Sequence, residues 1–230
     1  MKNKNGFMLA ETLITLGIIG IVAAMTIPTL INGYKASQLR SQFLEAYSIL
    51  NQSTRQMIAD EISIDCASYG QGIGGLYKVF SKYMVGATDC GSIRYGDKCK
   101  AILQAASFYK TLNGKYYLGD AWSDDGTLIL QNGMTINFEN PPNHPDNKCY
   151  MFIDINGAKG KPNRLGYDVF TFQLLDGKEE IVPMGEPRSA YPNLTKECNY
   201  NSNSMVNGIA CTVKAKDDPD YFKKLLKNIK

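Results

Sequence analysis

Histidine and tryptophan are each present once in this 230-residue chain, as His144 and Trp122. With one imidazole and no Cys-x-x-Cys pair, no zinc-cluster pattern can be written. G-x-S-x-G, the Walker loop and H-E-x-x-H are also missing. The lone His144 falls in Pro141-Pro142-Asn143-His144-Pro145, a loop sequence. No catalytic constellation emerges, so the chain is not expected to be an enzyme. An excess of one charge is lacking as well: Lys+Arg is 25 against 22 for Asp+Glu. No basic stripe therefore points to nucleic acid as a partner. The last absence is local. After Glu11 no charge occurs as far as Ile31.

That uncharged stretch is the chain's most informative feature. Phe7 to Ile31 is 25 residues long, and about 20 apolar residues suffice to cross a bilayer as a helix. Lys2 and Lys4 precede it, which places the amino terminus in the cytoplasm and the bulk of the chain outside the inner membrane. A cleavable secretory signal has a shorter apolar core and a small-residue cut site after it. An ordinary uncleaved anchor would explain neither Gly6-Phe7 nor Glu11, since a carboxylate in hydrocarbon costs roughly 2.5–3.5 kcal/mol.

Basic leader, Gly6, Phe7, Glu11 four residues on, and an apolar helix with Pro28 together resemble the leader of the type IV pilin and type II secretion pseudopilin superfamily. Ala10 stands where an isoleucine commonly precedes the Glu. The resemblance is specific over residues 1–35. It implies cleavage after Gly6 by a prepilin peptidase, N-methylation of Phe7, and packing of subunits in which Glu11 pairs with the new amine of a neighbour. It also implies an α+β fold, a long helix packed under an antiparallel sheet. The expected organisation is a leader (1–6), a transmembrane assembly helix (7–31), an amphipathic helix (32–62) and an extracytoplasmic head (63–230). Removing Lys2 and Lys4 leaves 23 basic against 22 acidic residues, a nearly neutral mature chain.

Beyond the apolar run, Asn32-Gly33 is expected to interrupt the helix, and Pro28 to kink or loosen it near Ala24. From Ala36 to Glu61 the helix resumes, with Leu39, Phe43, Tyr47, Leu50, Met57, Ile58 and Ile62 in one apolar stripe. Leu76, Val79, Phe80 and Tyr83 suggest a short amphipathic helix, and Ala101–Tyr109 either a helix or a strand. Tyr116, Tyr117 and Trp122 read as half-buried sheet residues. Thr127–Leu130 and Met134–Phe138 flank Asn132-Gly133, a hairpin signal. Cys149–Ile155 and Asp168–Leu175 read as further strands, with Glu180–Pro183 extending the edge. Asp218-Pro219 opens a final helix as cap and first residue.

Cys66, Cys90, Cys99, Cys149, Cys198 and Cys211 could oxidise outside the cytoplasm. Local spacing favours Cys90–Cys99 and Cys198–Cys211, which leaves Cys66 with Cys149; the alternative is that some remain buried thiols. The Asp154–Asp168 loop offers oxygens from Asp154, Asn156 and Asp168 for calcium. It is similar to the calcium-holding loop of major pseudopilins only in general character, and a connection whose Asp and Asn cap their own backbone is the competing reading.

Two functions from different classes follow. The first is a structural subunit of a type II secretion pseudopilus or type IV pilus-like filament, whose partners are prepilin peptidase, other subunits and the inner-membrane assembly machinery. The second is a membrane-anchored, disulfide-bonded module that captures sugar, protein or DNA. An anchored enzyme is a third class, without a motif to support it.

Overall fold

The structure, a computed structural model, describes residues 9–69, 75–92, 99, 109–119, 122, 124–140, 148–157, 159–175, 177–178 and 180–229. Gly6, Phe7, His144 and nearly all of Ala101–Tyr109 lie outside these residues. The described chain is α+β. One apolar N-terminal helix accompanies a six-stranded antiparallel sheet.

Helix α1 runs unbroken over Leu9–Ala59, 51 residues or about 76 Å at 1.5 Å per residue. The expected break at Asn32-Gly33 does not occur. A glycine costs a helix interior about 1 kcal/mol, too little to stop a helix that continues for many residues on both sides. Pro28 also lies inside α1. Its ring removes the donor for the Ala24 carbonyl, and neighbouring hydroxyls bond nearby carbonyls: Thr26 to Val22 (2.9 Å) and Thr29 to Met25 (3.4 Å). The helix ends two residues short of the expected Glu61. Glu61 takes φ 57°, and Ile62 N–H turns back to the Met57 carbonyl at 2.9 Å.

Six strands follow in sequence order across the sheet: β1 (Thr88–Gly91), β2 (Gly126–Ile129), β3 (Thr135–Glu139), β4 (Tyr150–Asp154), β5 (Val169–Leu175) and β6 (Glu180–Pro183). Between β2 and β3, Ile129 pairs with Thr135, so the Asn132-Gly133 turn sits in a longer connection than a two-residue hairpin. Gly133 takes φ +86° there, a conformation that glycine adopts without a Cβ penalty. The pairing Ile136–Ile153–Phe170 and Phe138–Met151–Phe172 lines up one apolar face. Against it lies α1: Phe43 stands edge-on to Phe170 at 4.8 Å, and Tyr47 stacks on Phe172 at 5.7 Å.

The opposite face carries Thr127, Thr135, Asn137, Asp154, Thr171 and Gln173, all buried. A one-sided sheet would expose this polar face. Chain remote in sequence covers it instead. Tyr109 Oη accepts from Asn137 Nδ2 at 2.8 Å, and Ala190 N–H donates to Gln173 Oε1 at 2.8 Å.

Short helices complete the head: α2 (Leu76–Phe80), continued by a 3₁₀ turn over Ser81–Tyr83, then α3 (Leu194–Glu197), α4 (Cys211–Asp217) and α5 (Tyr221–Asn228). Asn193 caps α3 by accepting the Lys196 N–H. The final helix begins at Tyr221 rather than Pro219. Asp218 accepts the Asp220 N–H at 3.0 Å and the Lys224 ammonium at 2.7 Å, so its carboxylate organises the turn before the helix. Phe222 packs on Phe43 and Phe170. Tyr116 and Tyr117 are exposed and lie outside the six strands; Tyr117 forms an isolated bridge with Lys110, whose ammonium lies 4.9 Å from the centre of its ring. Trp122 is partly buried near Tyr191, also outside the strands.

Candidate functional site

The first region of interest is the projecting half of α1. From Leu9 to Lys35 its side chains are exposed, apart from Ala23, which is partly covered. From Ala36 onward one stripe is buried: Ala36, Leu39, Phe43, Ala46, Leu50, Ser53 and Met57. These positions alternate by three and four, the spacing of a single helix face. The α1 helix is long and apolar enough to cross a membrane, with none of its most apolar window buried inside the molecule. Glu11 lies near the beginning of the described part of α1. Pro28 lies in the same projecting half. Glu11 and Pro28 are thus on one apolar element and away from the head.

Three disulfides staple the head: Cys66–Cys149, Cys90–Cys99 and Cys198–Cys211. Cys90–Cys99 and Cys198–Cys211 are the pairs that local spacing favoured and Cys66–Cys149 is the pair it left, and no described cysteine is free. Cys66–Cys149 ties the segment after α1 to the start of β4. Cys198–Cys211 joins the end of α3 to the start of α4.

The second region is the β4–β5 connection. Register places Asp154 opposite Val169, so Asp168 lies just beyond that pair. Both carboxyls are fully buried. Asp168 is well supplied: its Oδ1 accepts the Arg164 N–H at 2.6 Å, and its Oδ2 accepts the Asn163 N–H at 2.9 Å and Asn156 Nδ2 at 3.1 Å. Asp154 is not. Its carboxyl accepts the Asn156 N–H at 3.3 Å, the Gly157 N–H also lies toward it, and its Oδ2 has no hydrogen-bond partner among the described residues. The side-chain oxygen of Asn156 has none either. Burial drives the Asp154 carboxyl well above the ordinary carboxylate range, and repulsion from Asp168 adds to this. Asp168 is also pushed up by burial, against the pull of the hydrogen bonds its carboxyl accepts. Burying a carboxylate without a compensating cation is costly. A proton on the pair, or a bound cation, would relieve that cost.

The structure brings Asp154, Asn156 and Asp168 together, and the unpartnered Asp154 Oδ2 and Asn156 Oδ1 are hard oxygen donors of the kind calcium selects. A site there would take the rest of its coordination from carbonyls and water. The donor set fits the ion.

A further acidic group had no sequence signal. Asp124, Asp125 and Glu139 bring ligand atoms within 4.8 Å of one another at the far end of β2 and β3. Asp125 Oδ2 already accepts the Asn140 N–H at 2.7 Å. Asp124 and Asp125 precede β2 and Glu139 ends β3, so the β2–β3 pairing brings Glu139 to the other two.

Comparison with protein-family models, characterised proteins and solved structures gives no match.

Proposed function

We propose that the chain is a structural filament subunit. In this reading it is a prepilin-like protein, cut after Gly6 and N-methylated on Phe7 by a prepilin peptidase. It assembles with other subunits, through the inner-membrane machinery, into a type II secretion pseudopilus or type IV pilus-like filament. The observation that carries the reading is the division of α1. One continuous helix offers an exposed apolar half containing Glu11 and a second half packed under a disulfide-stapled head. In a membrane the exposed half has lipid around it; in a filament the same surface meets the helices of neighbouring subunits. The amino terminus then lies in the cytoplasm and the head on the outer side of the inner membrane.

Glu11 supplies the selectivity. Buried ion pairs add little net stability, but leaving one partner unmatched is expensive. A neighbour's Phe7 amine opposite Glu11 therefore rewards one axial register above others. Calcium bound by Asp154, Asn156 and Asp168 is part of the same proposal, as a brace for the loop rather than a reactive centre.

Intact-mass measurement on protein taken from its native membranes tests the maturation step. The expected species begins at Phe7 and carries one added methyl group. Retention of Met1–Gly6 in the assembled form would refute it.

A further inference from the structure

Tyr34 and Lys35 are the first residues of α1 after the apolar run that have polar side-chain groups suited to a membrane surface, and Tyr34 is 73% exposed. At 1.5 Å per residue, Lys35 lies about 6 Å beyond Ile31 along the helix. That is within the headgroup layer, which extends roughly 5–7 Å past the hydrocarbon on each side. The Lys35 ammonium sits 5.5 Å from the centre of the Tyr167 ring. Tyr167 belongs to the β4–β5 connection, so this contact brings one end of that connection against Lys35. Lys159 and Lys161, both exposed, are on the same connection.

Carboxylates near this end are already engaged. Asp218 pairs with Lys224 at 2.7 Å, Asp220 with Lys223 at 2.9 Å, and Asp217 with Lys216 at 3.8 Å. Asp154 and Asp168 are buried beneath the connection. No ion pair among the described residues involves Lys35, Lys159 or Lys161. Phe170 and Phe172 pack on Phe43 and Tyr47 in that order, so β5 starts toward the projecting half of α1. The β4–β5 connection, with exposed Lys159 and Lys161 on it, therefore lies at the end of the head from which that half projects.

We propose that Lys35, Lys159 and Lys161 form a collar that binds the phosphate headgroups of anionic lipids and seats the head on the bilayer. The inference rests on the anchor reading of α1. Its consequence is orientational. A lysine near an anionic surface gains about fivefold in binding, so the collar biases α1 and the head, which move together, toward one tilt in the bilayer.

The full chain in nanodiscs provides the test. Lysines are methylated with formaldehyde and a neutral borane reductant, and rates are read by peptide mass spectrometry. In phosphatidylglycerol discs, Lys35, Lys159 and Lys161 should react about fivefold or more slowly than in phosphatidylcholine discs. Lys178, beyond β5 at the opposite end of the sheet, should not change. High salt should abolish the difference. The double variant Lys159→Gln with Lys161→Gln should restore the reactivity of Lys35 in anionic discs. Equal rates in the two lipids, for chain recovered in the discs, would overturn the collar and leave the anchor intact. Protection reproduced by inorganic phosphate over phosphatidylcholine would overturn the assignment to lipid. A chain that fails to enter either disc would overturn the anchor reading itself.

Discussion

Asp154 shows how one side chain can tie fold to conditions. Its carboxyl and that of Asp168 titrate above the ordinary range because burial disfavours their charge. A carboxyl whose folded pKa is raised stabilises the protein fully below its unfolded pKa, and that contribution is lost as pH rises through the folded value. In chelator, the head should therefore become less stable as pH climbs from about 4 toward the raised folded values, by this pair's contribution. Glu180, Asp218 and Asp220 are shifted the opposite way by Arg188, Lys224 and Lys223, but such exposed pairs are worth little. Calcium at about a hundred times its dissociation constant should restore about 2.7 kcal/mol, a rise of roughly 5–10 °C in melting temperature for a domain of this size. Asp154→Asn should remove the calcium response and, in chelator at neutral pH, melt no lower than the parent. Thermal scans across pH with and without calcium decide the matter; a calcium response that survives in Asp154→Asn would contradict the site. Asp154, Asn156 and Asp168 were legible as oxygen donors from sequence. The orphaned Oδ2 was not, because it depends on which face of β4 is covered and by what.

Helix α1 and the sheet teach a related lesson at the scale of elements. Leu39, Phe43, Leu50 and Met57 announce the buried stripe because they are large and apolar. Ala46 and Ser53 complete it unannounced, because a small or hydroxylic residue at a contact position carries no hydrophobic signal. Strand β1, Thr-Asp-Cys-Gly, has little intrinsic strand preference and is made by its pairing with β2. Helix α4 begins at a disulfide cysteine and is too short for periodicity to show. The cover over the polar face of the sheet left no trace in the sequence, because alternation reports side-chain type, not the distant chain that covers it. The core of this arrangement is Phe43, which touches Phe170, Phe172 and Phe222. Phe43→Ala should cost about 3–5 kcal/mol, whereas Tyr34→Ala, on the same helix but outside the head, should leave head stability within about 0.5 kcal/mol. Denaturant melts of the two variants check this; equal losses would mean that the head does not depend on the α1 stripe.

At the scale of the whole molecule, the same helix belongs to two environments. Its second half is core to a stapled head, and its first half is an exposed apolar rod carrying a single carboxylate. Sequence showed the rod plainly, since hydrophobic length and the Gly6-Phe7-Glu11 pattern are local. It did not show that the rod continues into the head without a break, which is a cooperative property of the entire helix. The central claim is that the rod exists for subunit packing, with Glu11 selecting the register. The most direct measurement is to express Glu11→Leu with the assembly machinery, and to compare its processing, by mass, with its abundance in sheared filaments. The account predicts normal insertion and cleavage, because Gly6-Phe7 is unchanged, together with a severe loss from filaments. Normal processing with normal filament entry would contradict it.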